Sequence, residues 1–69
     1  KELSSPMPGR VLKIMVKPGN QINIGDSLLS LEAMKMENIL KSDGEGIVKE
    51  IFINEEQVVD KGEVLIEFE

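Results

Sequence analysis

One lysine of the chain, Lys35, stands between two methionines, Met34 and Met36, in a segment bounded by Glu32 and Glu37. A lysine amine that has lost its proton is a nucleophile and can form an amide with an activated carboxyl group. Flexible thioether side chains beside it offer an apolar surface that another protein can recognise. These residues therefore form a candidate site for covalent modification by a second enzyme. On spacing alone, a solvated lysine beside a methionine that packs into the core fits the same residues.

The composition leaves few other chemistries open. The chain has 69 residues and contains neither Cys nor His, so thiol catalysis, disulfides, the usual general base and the commonest metal ligands are missing. We therefore predict no catalytic residue, no metal site and no enzymatic activity of its own. A net charge of −5 with no Trp or Tyr argues against nucleic-acid binding. No apolar run is long enough to insert into a membrane.

The chain repeats itself. Residues 1–32 align without a gap on residues 38–69, and eight of the aligned pairs are identical. Chance alone would give about two identities for such a composition. The identical pairs are Leu3/Leu40, Ser5/Ser42, Gly9/Gly46, Val11/Val48, Ile14/Ile51, Gly25/Gly62, Leu28/Leu65 and Glu32/Glu69. The domain is therefore expected to consist of two similar halves.

Each half of the repeat predicts short strands separated by turns. The segments Val11–Lys17 and Ile47–Ile53 are rich in β-branched residues, which favour strands. Gly25 and Gly62 stand where a turn can require positive φ. Folding the two halves together predicts an all-β flattened barrel or sandwich with pseudo-twofold symmetry. Its predicted core comprises Val11, Ile14, Val16, Ile22, Leu29, Val48, Ile51, Val59 and Ile66.

The segment Leu28–Lys41 admits two interpretations. Taken alone, its helix-forming residues have the spacing of an amphipathic helix. In the repeat, however, residues 27–32 correspond to residues 64–69, whose nearly alternating pattern is typical of a strand. We therefore predict two strands joined by a tight turn at residues 33–37, with Lys35 at its tip. The second half has no equivalent turn, so the chain termini should lie at the opposite end of the domain.

The sequence around the lysine resembles the attachment motif of biotinyl domains, the carrier domains of biotin-dependent carboxylases. The similarity extends over residues 1–69 and implies a flattened barrel of two four-stranded antiparallel sheets. It also implies biotin joined by an amide to Lys35, with Met34 and Met36 completing the attachment site and serving recognition. The motifs that carry it are Glu32-Ala33-Met34-Lys35-Met36, Ser5-Pro6-Met7-Pro8-Gly9 and the turns Gly25-Asp26 and Gly62-Glu63. The gap-free repeat leaves no room for the protruding loop, or thumb, of some biotin carboxyl carrier proteins, so the chain resembles the thumbless type.

The resemblance also implies partners. A biotin–protein ligase would load Lys35, a biotin carboxylase would carboxylate the biotin, and a carboxyltransferase would pass the carboxyl group to an acceptor such as an acyl-CoA or pyruvate. The domain would be a non-catalytic swinging arm, which acts by raising the effective concentration of the tethered group. We expect the chain to be a C-terminal fragment of a longer protein. The lack of Cys fits the cytoplasm, or the mitochondrial matrix for a eukaryotic source.

Two other functions stay open at the level of sequence. A lipoyl domain shares this fold and also modifies a hairpin lysine, but lipoyl motifs usually place Asp before and Ala after that lysine, where this chain has Met34 and Met36. An unmodified β-barrel that serves only in assembly would have no need of Met-Lys-Met at a turn. Both alternatives predict the same fold, so only the state of Lys35 separates them from the carrier.

Overall fold

The computed structural model describes residues 1–69 and consists of strands and turns, with no helix. It therefore offers no helical segment that could cross a membrane. The strands, in chain order, are β1 (Glu2–Ser4), β2 (Gly9–Ile14), β3 (Gln21–Ile22), β4 (Ser27–Ala33), β5 (Met36–Lys41), β6 (Gly46–Ile51), β7 (Val58–Val59) and β8 (Val64–Phe68).

The strands form two four-stranded antiparallel sheets, ordered β1-β8-β6-β3 and β5-β4-β2-β7. Every strand pairing is antiparallel. The repeat relates β1 to β5, β2 to β6, β3 to β7 and β4 to β8, and this exchange converts the order of one sheet into the order of the other. The predicted all-β fold with pseudo-twofold symmetry is confirmed.

A single apolar core lies between the sheets. Seven of the nine residues predicted to be buried are buried, whereas Ile14 and Ile51 are half-buried because they end strands β2 and β6 at the margin of the core. The buried apolar residues outside the predicted core are Leu28, Leu31, Ala33, Ile53 and Leu65. The core is thus larger than predicted, and most of the additional residues belong to the central strands β4 and β8.

Two β-bulges explain why the central strands depart from simple alternation. The pairing of β4 with β5 skips Leu28, and the pairing of β8 with β1 skips Leu65. A bulge places an extra residue in one strand and redirects the side chains that follow. As a result, Leu28 joins Leu29 and Leu31 in the core, and Leu65 is buried next to Ile66.

The segment that could have been a helix is the hairpin of β4 and β5. The strands pair from Ser27↔Lys41 to Ala33↔Met36, so the connecting turn contains two residues rather than the predicted five. At the other end of β5, Lys1 Nζ lies 3.2 Å from Asp43 Oδ1. The amino terminus is therefore at the opposite end of the domain from the hairpin turn, as the repeat predicted. The strands predicted at Val11–Lys17 and Ile47–Ile53 start and end slightly earlier than expected.

Candidate functional site

The hairpin turn holds its two residues in an unusual backbone conformation. Met34 has a φ of 55° and Lys35 a φ of 64°, both in the left-handed region that glycine and asparagine usually occupy. Two positive φ values in a two-residue hairpin are the pattern of a type I′ turn, whose twist matches that of the strands. The closing pair is Ala33↔Met36. The backbone of Lys35 is therefore fixed at the tip by the geometry of the hairpin.

The Lys35 side chain is exposed and forms no ion pair within the chain. Of the two acidic residues that flank the turn, Glu32 is engaged elsewhere, because its Oε1 accepts hydrogen bonds from Arg10 Nη2 at 2.7 Å and from Arg10 Nε at 3.2 Å. Glu37 is exposed and lies opposite Glu32 in the register of strands β4 and β5. The amine is thus available to solvent and to another protein.

The two methionines beside the lysine face solvent. The exposed fraction is 90% for Met34 and 66% for Met36. The alternative in which one of them fills the core is therefore wrong. The methionine that does pack against the core is Met7, in the loop between β1 and β2. An exposed pair of thioethers therefore stands on either side of an exposed amine, and neither thioether contributes to the core.

Arg10 supports the base of the hairpin, a role that sequence analysis missed. Its guanidinium bonds to Glu32 on β4, and its Nη1 pairs with Glu56 Oε1 in the turn before β7. The hydrogen bonding of the Arg10 guanidinium to the Glu32 carboxylate is the main cause that raises the pKa of Arg10, and the negative charge of Glu56 adds to it. The signal is the register Arg10↔Glu32, which becomes visible only when the pairing of β2 with β4 is known.

Two further features support the hairpin, namely the hydrogen bonds of Asn38 and the close approach of β2 to β4. Asn38 Nδ2 donates hydrogen bonds to the carbonyl oxygens of Met36 at 3.2 Å and Leu31 at 3.4 Å, which ties β5 to β4. Gly9 on β2 lies so close to β4 that a Cβ built there would sit 2.5 Å from the Glu32 carbonyl oxygen. The arrangement therefore presents one exposed amine on a hairpin that these contacts support, and that amine forms no ion pair with a carboxylate of the chain.

Comparison with known proteins places the chain in a family. A family model described as "Biotin-requiring enzyme" matches residues 1–68. The chain belongs to the biotin/lipoyl family of carrier domains. Among curated relatives, the propionyl-CoA carboxylase alpha chain of Ruegeria pomeroyi is 39% identical over 69 residues, which are 100% of this chain and 10% of that protein. The chain thus spans only a small part of the length of such relatives.

Solved structures agree with the fold. The chain superimposes on a single-chain, multi-domain long-chain acyl-CoA carboxylase with a TM-score of 0.93 and 28% identity, over 99% of this chain and 7% of that one. It also superimposes on the lipoyl domain of the 2-oxoglutarate dehydrogenase complex from Azotobacter vinelandii with a TM-score of 0.85 and 23% identity, over 99% of this chain and 94% of that one. The second similarity concerns the fold alone. Two four-stranded sheets of this kind are the architecture of biotinyl and lipoyl domains.

Proposed function

We propose that Lys35 is the residue to which biotin is attached, and that the domain carries carboxyl groups between the active sites of a biotin-dependent carboxylase. The observation that carries this proposal is the unpaired, exposed amine of Lys35 at a two-residue turn between exposed methionines. Membership of a family of biotin-requiring enzymes supports it. The domain is itself a non-catalytic carrier.

Loading requires help from another enzyme. Lys35 Nζ would form an amide with the carboxyl group of biotin, and the amine must give up a proton to do so. Of the acids that flank the turn, Glu32 is paired with Arg10, and Glu37 forms no ion pair with Lys35. A biotin–protein ligase is therefore proposed to supply both the activated carboxyl group and the base. The amide removes one positive charge from a chain whose formal net charge is −5.

The chain's contribution after loading is a rigid attachment point. Biotin, when bound, supplies a ring that takes up and releases a carboxyl group. The left-handed turn residues, the pairing Ala33↔Met36 and the Arg10–Glu32 contact hold the attachment residue in one place. A preorganised tip loses little conformational entropy each time it docks. We propose that it docks in turn on a biotin carboxylase and on a carboxyltransferase, since the relatives include propionyl-CoA carboxylase.

Coexpression with a biotin–protein ligase tests the proposal. The domain should bind avidin, and its intact mass should increase by one biotin joined through an amide. Lys35→Arg should abolish both signals, because arginine keeps the charge but offers no acylable amine. Lys61→Arg is the matched control, since Lys61 also lies exposed in a turn between two strands, and it should load fully. Capture that persists in Lys35→Arg, or a mass increase that fits a lipoyl group, would contradict the proposal.

A further inference from the structure

We propose that Met34 and Met36 form a peroxide-sensitive modification site, and that their oxidation to methionine sulfoxide slows the loading of Lys35 without unfolding the domain. The order in which the methionines are oxidised follows from their exposure and does not depend on any assigned function. The effect on loading rests on the function proposed above. The closing experiment measures the two separately.

The four methionines of the chain differ widely in exposure. Met34 is 90% exposed, Met36 is 66% exposed and Met15 is 39% exposed, whereas Met7 is partly buried and packs against the core. Susceptibility to oxidation follows exposure, because the oxidant must reach the sulfur. Hydrogen peroxide should therefore react first at the two thioethers beside the candidate attachment lysine.

The reaction is a two-electron oxygen transfer. A sulfur lone pair of Met34 or Met36 attacks one oxygen of hydrogen peroxide, the O–O bond breaks, and a sulfur–oxygen bond forms. The remaining oxygen leaves as water after proton transfer, so sulfur is oxidised and peroxide is reduced. Methionine sulfoxide reductases, which draw electrons from thiols, reverse the change one sulfoxide epimer at a time. The modification is therefore reversible.

The fold tolerates oxidation at this place. Neither Met34 nor Met36 belongs to the core, and the hairpin is held by backbone pairing at Ala33↔Met36 and by the Asn38 hydrogen bond to the Met36 carbonyl oxygen. A sulfoxide on an exposed side chain stays hydrated and displaces no packing. At Met7 the same reaction would set a polar group against the apolar core, where an unpaired polar group is destabilising.

Oxidation should weaken the binding of the loading enzyme to the hairpin around Lys35. A protein that reaches Lys35 Nζ must approach between side chains that precede and follow it by one residue. An interface built for an apolar thioether would have to bury a polar sulfoxide without a partner, which disfavours binding. We expect the efficiency of loading, kcat/KM, to fall about tenfold when both residues are oxidised, where tenfold corresponds to about 1.4 kcal/mol.

The test treats the unloaded domain with graded hydrogen peroxide and follows four readouts. Peptide mass spectrometry should find one added oxygen on Met34 and Met36 before Met15 and Met7. Circular dichroism should show an unchanged Tm at the dose that oxidises the hairpin pair. The ligase should load this material about tenfold more slowly, and two methionine sulfoxide reductases that together reduce both epimers should restore the rate. Met15→Leu is the control variant and should keep the full peroxide sensitivity.

Each result decides a separate statement. Oxidation of Met7 or Met15 before Met34 and Met36 would overturn the claim that the hairpin methionines are the peroxide-sensitive site. A loss of Tm at the same dose would overturn the claim that loading falls without unfolding. Equal loading of oxidised and untreated protein would overturn the inference while leaving the carrier function intact. Failure of the untreated protein to load would reject the proposed function and, with it, the effect on loading, whereas the order of oxidation is judged by the mass spectra alone.

Discussion

Backbone strain at the turn residues Met34 and Lys35 should lower the free energy of unfolding by an amount that substitution can measure. Both have positive φ, 55° and 64°. A residue with a Cβ in the left-handed region costs roughly 1–2 kcal/mol. The double substitution Met34→Asn/Lys35→Gly installs the dipeptide that type I′ hairpins favour and should remove most of that strain. The wild-type pair thus retains backbone strain at the position where we propose that biotin is attached.

The expected gain in the free energy of unfolding is the backbone strain relieved in the folded state, minus the effect of the conformational entropy that glycine adds to the unfolded chain. Glycine at position 35 relieves the left-handed penalty but has more freedom in the unfolded chain, which offsets roughly 0.5–1 kcal/mol. Asparagine at position 34 tolerates the left-handed conformation and recovers part of the remaining strain. We expect a net stabilisation of about 1 kcal/mol. For a domain of this size that corresponds to a rise in Tm of about 4–8 °C.

Thermal and urea unfolding of the unloaded protein measure this gain. The matched control is Lys61→Gly, because Lys61 lies exposed in a turn but its φ is not positive. Glycine there adds only unfolded-state freedom and should lower the unfolding free energy by about 0.5–1 kcal/mol. The two variants should therefore shift Tm in opposite directions. A double variant with an unchanged or lower Tm would refute the assignment of strain to the turn.

Two further predictions concern the sheet beneath the hairpin. Gly9→Ala should destabilise the domain by about 1–3 kcal/mol in urea unfolding, because the new Cβ would sit 2.5 Å from the Glu32 carbonyl oxygen. Gly46→Ala is the control at the symmetry-related position. It should change the urea midpoint far less, because the atoms nearest to its new Cβ are 3.8 Å away. Ser30→Ala should stabilise the domain by about 1 kcal/mol in urea unfolding, because the buried Ser30 hydroxyl has no hydrogen-bond partner. Equal effects of the two glycine substitutions would contradict the close approach of β2 to β4 at Gly9. A large loss of stability in Ser30→Ala would contradict an unpaired Ser30 hydroxyl.

The repeat made the fold predictable where local propensity did not. Residues 28–41 have helical spacing, and only their alignment on the last strand favoured the hairpin. The same alignment placed the termini opposite the hairpin turn and Gly25 and Gly62 in turns, where their φ values are 88° and 87°. Correspondence between the halves therefore carries long-range information that a single segment lacks.

The features that escaped the sequence depend on register. Bulges at Leu28 and Leu65 bring additional leucines into the core, and no periodicity reveals an inserted residue. The contact of Arg10 with Glu32 joins residues on different strands and becomes visible only with the pairing of β2 and β4. The exposure of Met34 and Met36 depends on the turn having two residues, whereas a longer turn could have folded one of them inward.

The most direct measurement is a fragmentation mass spectrum of the domain after loading by a biotin–protein ligase. We expect biotin on Lys35 in an amide, and no biotin on any other lysine of the folded chain. Biotin on a different lysine, or a folded domain with an accessible Lys35 that the ligase leaves unmodified, would contradict this expectation.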